Sequence, residues 1–400
     1  MKKILFFTVA AATVMALTGC SQSSDLTETA ETSQTAISFD TYLAKTRAGA
    51  SGSETTETLK TNGFGVLAYY TAQENYVSNK FIPDFMYNTK VTGTTTSWEY
   101  SPVRYWPNTN GDKISFFAYA PYVDVTSNSG TAKDQSTTGI TAISSNNVNE
   151  TPKVSYTLAD TKTQSVDLLW GVKKGTVSDL NKDLTRIQAN ISGIGFTFKH
   201  ALAVCDGNGL QAKVATDDPT FDPSKTKITI EEINIQSNTI ATSGKFDLTT
   251  GTWEITKQDG SMVFDFKKEN INTNFAEPQG SLMNNVDNLS KLSGLTTTAQ
   301  NVLLDNTKSC YFIPGSTSSK ATVTITYWVR TLDPSLSNGC TNVKQIITKE
   351  IQLPVFAANK KYALVLNIGI NTVKFTAEVS DWSTDNSTPI TTTVDVPEVI

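Results

Sequence analysis

Apolar and polar residues alternate with a period of two along most of this chain, whereas helical periodicity is almost absent. Such alternation indicates strands that bury one face. Residues 37–43 form a short candidate strand of this kind. Its inward-facing residues are Ile37, Phe39, Thr41 and Leu43. Residues 64–70 and 114–120 are apolar on both faces, which is typical of central strands in a packed sandwich.

Strong alternation also marks the second half of the chain. It is found in residues 321–330, 344–355, 361–370 and 373–379 and, as a strand-like tail, in residues 390–396. Residues 227–236 lose their phase partway, and a β-bulge at Glu231 and Glu232 would restore it. Two polar stretches break the pattern. Residues 126–147 predict a long surface loop, and residues 279–305 predict a loop or one short helix.

The number and spacing of the candidate strands favour an all-β fold. Short strands separated by turn residues roughly every ten positions are typical of sandwiches, and no internal repeat indicates a propeller. We therefore predict two tandem antiparallel β-sandwich domains, residues 37–180 and residues 181–400, with a hinge between Lys173 and Arg186. The composition agrees, because 61 of the 400 residues are threonine, which favours half-exposed strands.

The first twenty residues predict an export signal. Lys2 and Lys3 precede an apolar stretch, residues 4–17, which is shorter than the about 20 residues needed to span a membrane. The stretch ends in Leu-Thr-Gly-Cys, which is similar to the lipobox of bacterial lipoproteins and predicts acylation of Cys20. Residues 1–20 are thus predicted to be a lipoprotein signal peptide and residues 21–36 a flexible spacer. The alternative is an ordinary secretory signal with a chance cysteine.

The charge balance and the scarcity of histidine argue against several classes of function. The 33 basic and 38 acidic residues give a net charge of −5, which argues against a nucleic-acid partner. His200 is the single histidine, so a two-histidine zinc site is excluded, and we expect this residue to be hydrogen-bonded to backbone. The sequence also lacks a phosphate-cradling loop and a Cys-x-x-Cys pair. We therefore predict no enzyme activity, no metal and no cofactor.

The cysteines leave one question open. With Cys20 assigned to lipid, an odd number remains, so at least one thiol stays unpaired. Cys205 lies in an apolar run and is expected to be a small buried side chain. Cys310 and Cys340 flank a candidate strand pair and could form a disulfide outside the cytoplasm.

Several aromatic residues also allow two interpretations. The candidates are Tyr100, Tyr105, Trp106, Trp253 and Trp382. They could form a platform on which sugars stack, but packing in a sandwich core is the simpler interpretation.

The segment that follows the first candidate strand is rich in small residues. Residues 44–52 contain Lys45 and Arg47 among Ala, Gly, Ser and Thr. A loop of this composition is accessible to proteases. From the residues alone, an ordinary linker with incidental basic residues is the simpler interpretation.

Together these features resemble the fimbrillin family, the type V pilins that are exported as lipoprotein precursors. The segments that carry the resemblance follow one another along most of the chain. They are the lipobox ending at Cys20, AISFDTYLAKTRAGAS (36–51), GFGVLAYYT (63–71), KISFFAYAPY (113–122), VDLLWG (166–171), FTFKHALA (196–203) and KKYALVLNIGINTVKFTAEVSDW (360–382). The resemblance implies two transthyretin-like domains, which agrees with the predicted sandwiches.

The resemblance also implies a maturation pathway. Lipidation at Cys20 carries the precursor to the outer membrane, and an Arg-specific protease cuts between Arg47 and Ala48, with Lys45 as an alternative site. The cut removes the strand that holds Ile37, Phe39 and Leu43. The opened groove then accepts a tail from a neighbouring subunit. In this chain the tail residues are Ile390, Val394 and Val396.

The resemblance therefore implies a structural subunit of a cell-surface fimbrium that polymerises by donor-strand exchange and supports adhesion. The expected partners are other subunits in a homopolymer, the processing protease, the outer membrane through the lipid, and host glycans or proteins. The alternative is a monomeric outer-membrane lipoprotein, either an anchor subunit or a glycan-binding protein, that does not polymerise.

Overall fold

Strands make up nearly all of the regular structure. The structure is a computed structural model that describes residues 34–43, 56–126, 128–134, 139–158, 165–189, 193–205, 209–215, 221–258, 260–278, 286–304, 310–315, 319–382 and 392–395. Residues 35–400 form one compact unit.

The described strands are numbered in chain order. The first eleven are β1 (Phe39–Leu43), β2 (Phe64–Ala72), β3 (Met86–Gly93), β4 (Trp98–Glu99), β5 (Lys113–Ala120), β6 (Ile140–Ile143), β7 (Lys153–Thr157), β8 (Leu169–Lys173), β9 (Asn181–Leu184), β10 (Ile194–His200) and β11 (Ala203–Cys205). The others are β12 (Leu210–Val214), β13 (Thr226–Ile240), β14 (Ser243–Asp247), β15 (Thr252–Lys257), β16 (Gly260–Lys267), β17 (Gln300–Asn301), β18 (Cys310–Phe312), β19 (Lys320–Thr331), β20 (Val343–Gln352), β21 (Lys360–Ile368), β22 (Val373–Asp381) and β23 (Thr392–Asp395). The short helices are α1 (Thr56–Asn62), α2 (Arg186–Ala189) and α3 (Val286–Leu289), with a 3-10 turn at Lys268–Asn270.

These strands form four sheets. The first has the order β1-β10-β8-β5-β2-β3-β4, with β9 beside β5. The second has the order β17-β12-β21-β11-β18, extended by β22 beside β21 and β23 beside β22. The third is β16-β13-β19-β20 and the fourth is β15-β14-β7-β6. Most pairs are antiparallel, and the predicted all-β sandwich class is confirmed, although β1 runs parallel to β10 and β21 runs parallel to β11 and β12.

The first sheet buries a different core on each face. β2 and β5 are almost entirely buried, as their two apolar faces predict. One face, which includes Tyr69 and Phe117, packs against strands of the fourth sheet. The other face, which includes Phe64 and Phe116, encloses an aromatic-rich core together with β1. We call this second cluster the first-strand core.

The second and third sheets enclose a core that is mostly aliphatic. Ile228 and Ile233 of β13 and Ile325 of β19 face Leu366 of β21 and Phe375 of β22 in this cluster. The predicted β-bulge is confirmed, because the register of β13 on β19 shifts between residues 230 and 232.

Long-range pairing overturns one of the sequence-based expectations. The prediction that residues 126–147 form a loop is wrong at β6, which pairs with β7 and buries Ile140 and Ile143. A strand of four residues is too short to display clear alternation. Sheet membership crosses residue 180, because β10 lies in the first sheet and the hairpin β14–β15 extends the fourth. The division into two domains stays a prediction.

Candidate functional site

The first strand lies at one end of the first sheet and is buried on its inner face. β1 pairs in parallel with β10 over five residues. Ile37, Phe39 and Thr41 are 2%, 6% and 5% exposed, so the predicted alternation is present up to this point. The side chain of Leu43 lies outside the described residues. We call the surface that receives β1 the strand seat.

Phe39 anchors the strand in a pocket of four aromatic rings, which we call the Phe39 pocket. The centroid of its ring lies 6.0 Å from Phe64, 5.4 Å from Tyr100, 6.4 Å from Phe116 and 6.2 Å from Phe196. The ring is stacked on Phe196 and meets the other three edge to face, which are the arrangements that aromatic pairs prefer. One side chain therefore couples β1 to β2, β5 and β10.

A second segment, residues 98–106, covers the other edge of β1, and we call it the clasp. Two backbone hydrogen bonds join the two segments. The Ile37 N–H donates to the carbonyl of Arg104 at 2.8 Å, and the Trp106 N–H donates to the carbonyl of Thr35 at 2.9 Å. The segment that enters β1 is therefore bonded along both edges.

Side chains of the clasp add two further bonds to the backbone of the strand. The indole N–H of Trp98 donates to the carbonyl of Thr41 at 3.1 Å, and the hydroxyl of Tyr100 donates to the carbonyl of Ile37 at 2.8 Å. Burial raises the pKa of the Tyr100 phenol above its ordinary value, so it remains a donor at neutral pH. All four clasp bonds involve backbone groups of the strand segment, so they hold any strand in this position regardless of its side chains.

The outward face of β1 is weakly held. Asp40 forms an ion pair with Lys174, and both side chains are about half exposed, so the pair contributes little to stability. A cleft of about 350 Å³ opens beside the strand and is lined by Ser38, Phe39, Asp40, Lys60 and residues 94–98. Solvent therefore reaches the outer side of the strand.

The aromatic residues considered as a sugar platform lie mainly inside the protein. Trp106 and Trp382 are 4% and 8% exposed, so core packing is the right interpretation for both. Tyr100 belongs to the Phe39 pocket, and Tyr105 is exposed. The density of aromatic residues in residues 98–106 signals an unusual segment, but nothing local in the sequence identifies β1 as its partner.

The structure describes only part of the predicted processing and donor residues. Cys20, Lys45, Arg47, Ala48, Ile390 and Val396 lie outside the described residues. Val394 lies in β23, where it is opposite Ala377 of β22. The tail therefore extends the second sheet of its own chain in this structure, and its role as a donor stays a prediction.

The cysteines are arranged differently from the pairing considered above. Cys310 and Cys340 form no disulfide and belong to different hydrophobic clusters. Cys310 lies instead opposite Cys205 in the ladder of β11 and β18, and burial raises the pKa of its thiol to about 12. The Cys310–Cys340 bond is absent because β18 pairs with β11, whereas Cys340 packs against Leu289 and Leu292.

His200 is buried and has a carboxylate partner rather than the expected backbone one. Its Nδ1 donates to the carboxylate of Asp167 at 2.7 Å, and both side chains are at most 1% exposed. The imidazole also stacks on Trp382 at 3.6 Å between ring centroids. The stacking of His200 on Trp382 therefore connects the end of β10 to the residue that follows β22.

Two other kinds of site are not found among the described residues. Among the described residues, no group of three or more His, Cys, Asp or Glu side chains is placed to hold a metal ion. In the same part of the chain, no helix has the length and apolar character needed to cross a membrane.

Comparison with known proteins gives three findings. A family model described as Fimbrillin-like matches residues 46–382. The chain is similar to the fimbrium subunit Fim1C of Phocaeicola vulgatus, with 29% identity over 94% of this chain and 96% of that protein. It is also similar to the crystal structure of a fimbrial protein from Bacteroides vulgatus, with a TM-score of 0.61 and 25% identity over 87% of this chain and 99% of that one.

Proposed function

The chain belongs to the fimbrillin-like family, and from this premise we propose that it is a structural subunit of a cell-surface fimbrium that polymerises by donor-strand exchange. Family membership itself implies a cell-surface appendage and association with other fimbrial subunits. The family is one of structural subunits rather than enzymes. Lipoprotein export, Arg-specific maturation and strand exchange are the finer steps of the proposal.

The observation that supports the proposal best is the strand seat. Ile37 and Phe39 are buried in it, and burial of such side chains is worth about 1.5–3 kcal/mol each. The four clasp bonds add about 0.5–1.5 kcal/mol each. The resulting sum of about 5–12 kcal/mol is comparable to the stability of a whole domain, about 5–15 kcal/mol. A seat emptied of β1 is therefore strongly driven to accept another strand.

In the proposed sequence of events, acylation at Cys20 first brings the precursor to the outer membrane. A protease then cuts between Arg47 and Ala48 and releases β1. The edge of β10 and the Phe39 pocket become exposed, which favours addition of a strand from another chain. The donor is the tail that contains Val394. Its position at an edge of the second sheet, paired over four residues, supports this assignment.

Processing is tested by the N-terminus and size of the protein recovered from cells. We expect a chain that begins at Ala48 and runs as ladders of multimers. Arg47→Ala should give an uncut monomer, whereas the matched variant Lys45→Ala should be processed normally. Ladders from the Arg47→Ala variant would exclude this cleavage site.

Anchoring is tested separately through the predicted lipid. Cys20→Ala should abolish incorporation of a lipid label and leave the precursor out of the membrane fraction, because acylation tethers a protein without crossing the bilayer. A lipidated monomer that begins at Cys20 in the wild type would instead support an anchor subunit or a glycan-binding lipoprotein.

A further inference from the structure

We propose that the Phe39 pocket is the specificity-determining subsite of the strand seat and that it selects incoming strands carrying a phenyl-sized side chain at this position. The inference rests on the proposed strand exchange and goes beyond it, because it states which strands the seat prefers. It follows from a difference between two sets of contacts. Contacts to the backbone of β1 bind any strand, whereas contacts to its side chains distinguish one strand from another.

The backbone contacts cannot distinguish one strand from another. β10 pairs with β1 through a parallel ladder, and the four clasp hydrogen bonds go only to backbone groups of the segment. Any extended segment without a proline at the bonded positions offers the same donors and acceptors. Discrimination must therefore come from the inward-facing side chains.

Phe39 and Thr41 are the described inward-facing residues of β1, and Phe39 has the more enclosed side chain. The hydroxyl of Thr41 donates to the carbonyl of Phe196 at 2.9 Å, a bond that serine would also make. Phe39 is instead enclosed by four rings on three different strands and the clasp. A side chain of another size or polarity at this position leaves a cavity, clashes, or buries an unsatisfied polar group.

Three of the four walls of the pocket have little room to adapt. Phe64, Phe116 and Phe196 are each at most 1% exposed. Phe116 is backed by Trp106, whose ring lies 5.9 Å away. Phe196 is backed by Gly171, where an added Cβ would lie 2.7 Å from the ring. Because these rings are fixed by their own neighbours, the pocket does not collapse around a smaller side chain.

The chain's own tail is a poor match for this pocket. Its period-two face consists of Ile390, Thr392, Val394 and Val396. None of these residues is aromatic, so whichever of them enters the pocket leaves part of it unfilled. We infer that a strand with phenylalanine at the matching position binds the seat more tightly than the tail of this chain does.

Peptide exchange into the cut protein tests the inference. The full-length chain is cleaved with an Arg-specific protease, and fluorescent peptides with the sequence of residues 35–43 are added until anisotropy is constant. Relative to the wild-type peptide, Phe39→Ala should bind about 100-fold more weakly and Phe39→Leu about 10-fold more weakly. Ser38→Ala, the matched control on the exposed face, should change affinity by less than about 2-fold.

Tail peptides provide the converse test. Peptides with the sequence of residues 388–398 are compared with their Thr392→Phe and Val394→Phe variants. At least one phenylalanine variant should bind about 10-fold more tightly than the unmodified tail, because it fills the pocket.

The outcomes separate the two proposals. If the wild-type peptide binds and Phe39→Ala binds equally well, the pocket does not select and this inference is wrong, while strand exchange stands. If no peptide of either series binds to the cut chain, strand exchange itself is wrong, and the inference is rejected with it.

Discussion

The two end strands of the described chain are both edge strands, but they are held in different ways. β1 is bonded on one side to β10 and on the other to the clasp, and it buries Ile37 and Phe39. β23 pairs only with β22 within the described residues, over four positions. The first strand closes a core, whereas the last extends a sheet that is already formed.

The contribution of a strand to the stability of its fold depends on which groups its removal exposes to water. Loss of β1 opens an aromatic core to water. Loss of β23 from its ladder exposes the outer edge of β22, and backbone groups at a sheet edge can bond to water instead. The fold therefore depends on the first strand much more than on the last.

The largest effect is expected from deletion of residues 35–43. The free energy of unfolding should fall by about 5–12 kcal/mol, because the apolar burial and the clasp bonds are lost together. Denaturant titration followed by circular dichroism measures the loss. A variant that remains within about 2 kcal/mol of the full chain would show that β1 is not part of the core.

A large effect is also expected from Phe39→Ala in the uncut chain. The substitution leaves a cavity between fixed rings and should cost about 3–5 kcal/mol. Val77→Ala is a matched control, because Val77 is 54% exposed, and it should change stability by less than about 0.5 kcal/mol. Equal melting temperatures for the two variants would contradict the role of the Phe39 pocket.

A smaller effect is expected in the clasp. Tyr100→Phe removes the hydroxyl that donates to the Ile37 carbonyl and should cost about 0.5–1.5 kcal/mol. Tyr105→Phe removes a hydroxyl from an exposed residue of the same segment and should have almost no effect. The difference between the two unfolding curves measures the contribution of the clasp bond.

The smallest effect on stability is expected from deletion of residues 388–400. The truncated chain should unfold within about 1 kcal/mol of the wild type, because only an edge strand is lost. The same variant should be processed to a monomer that does not polymerise. A fall of several kcal/mol would assign the tail to its own sandwich, and multimer ladders would exclude it as the donor.

The local pattern of the chain predicts strands well wherever alternation is long. The strand expected over residues 321–330 is observed as β19 (Lys320–Thr331), and the bulge at Glu231 and Glu232 is found where the phase slips. Residues 37–43 also show the predicted inward face at Ile37 and Phe39. In each case, burial of one face produces a visible pattern of apolar and polar residues in the sequence.

Pairing between distant segments produces no such pattern in the local sequence. Nothing near Phe39 indicates that Tyr100 and Phe196 will enclose it, and nothing near Ile194 indicates that β10 joins the first sheet. The sequence does not predict the clasp for the same reason, since the bonds from Trp98 to Thr41 and from Tyr100 to Ile37 join segments about 60 residues apart. Such contacts depend on topology, which alternation does not specify.

If strands are exchanged as proposed, the parallel direction of β1 gives an assembly of these chains a polarity. Phe39 lies opposite Ile194 and Leu43 opposite Phe198, so a strand that copies β1 must enter at the Ile194 end and finish at the Phe198 end. Trp382, the last described residue before the tail, is stacked on His200 beside that finishing end. In the proposed exchange, the seat of each chain is filled by the tail of a neighbouring chain. Donor and acceptor surfaces are then different parts of the molecule, and a contact of this heterologous kind, unless its rotation closes a ring, repeats head to tail as an open filament.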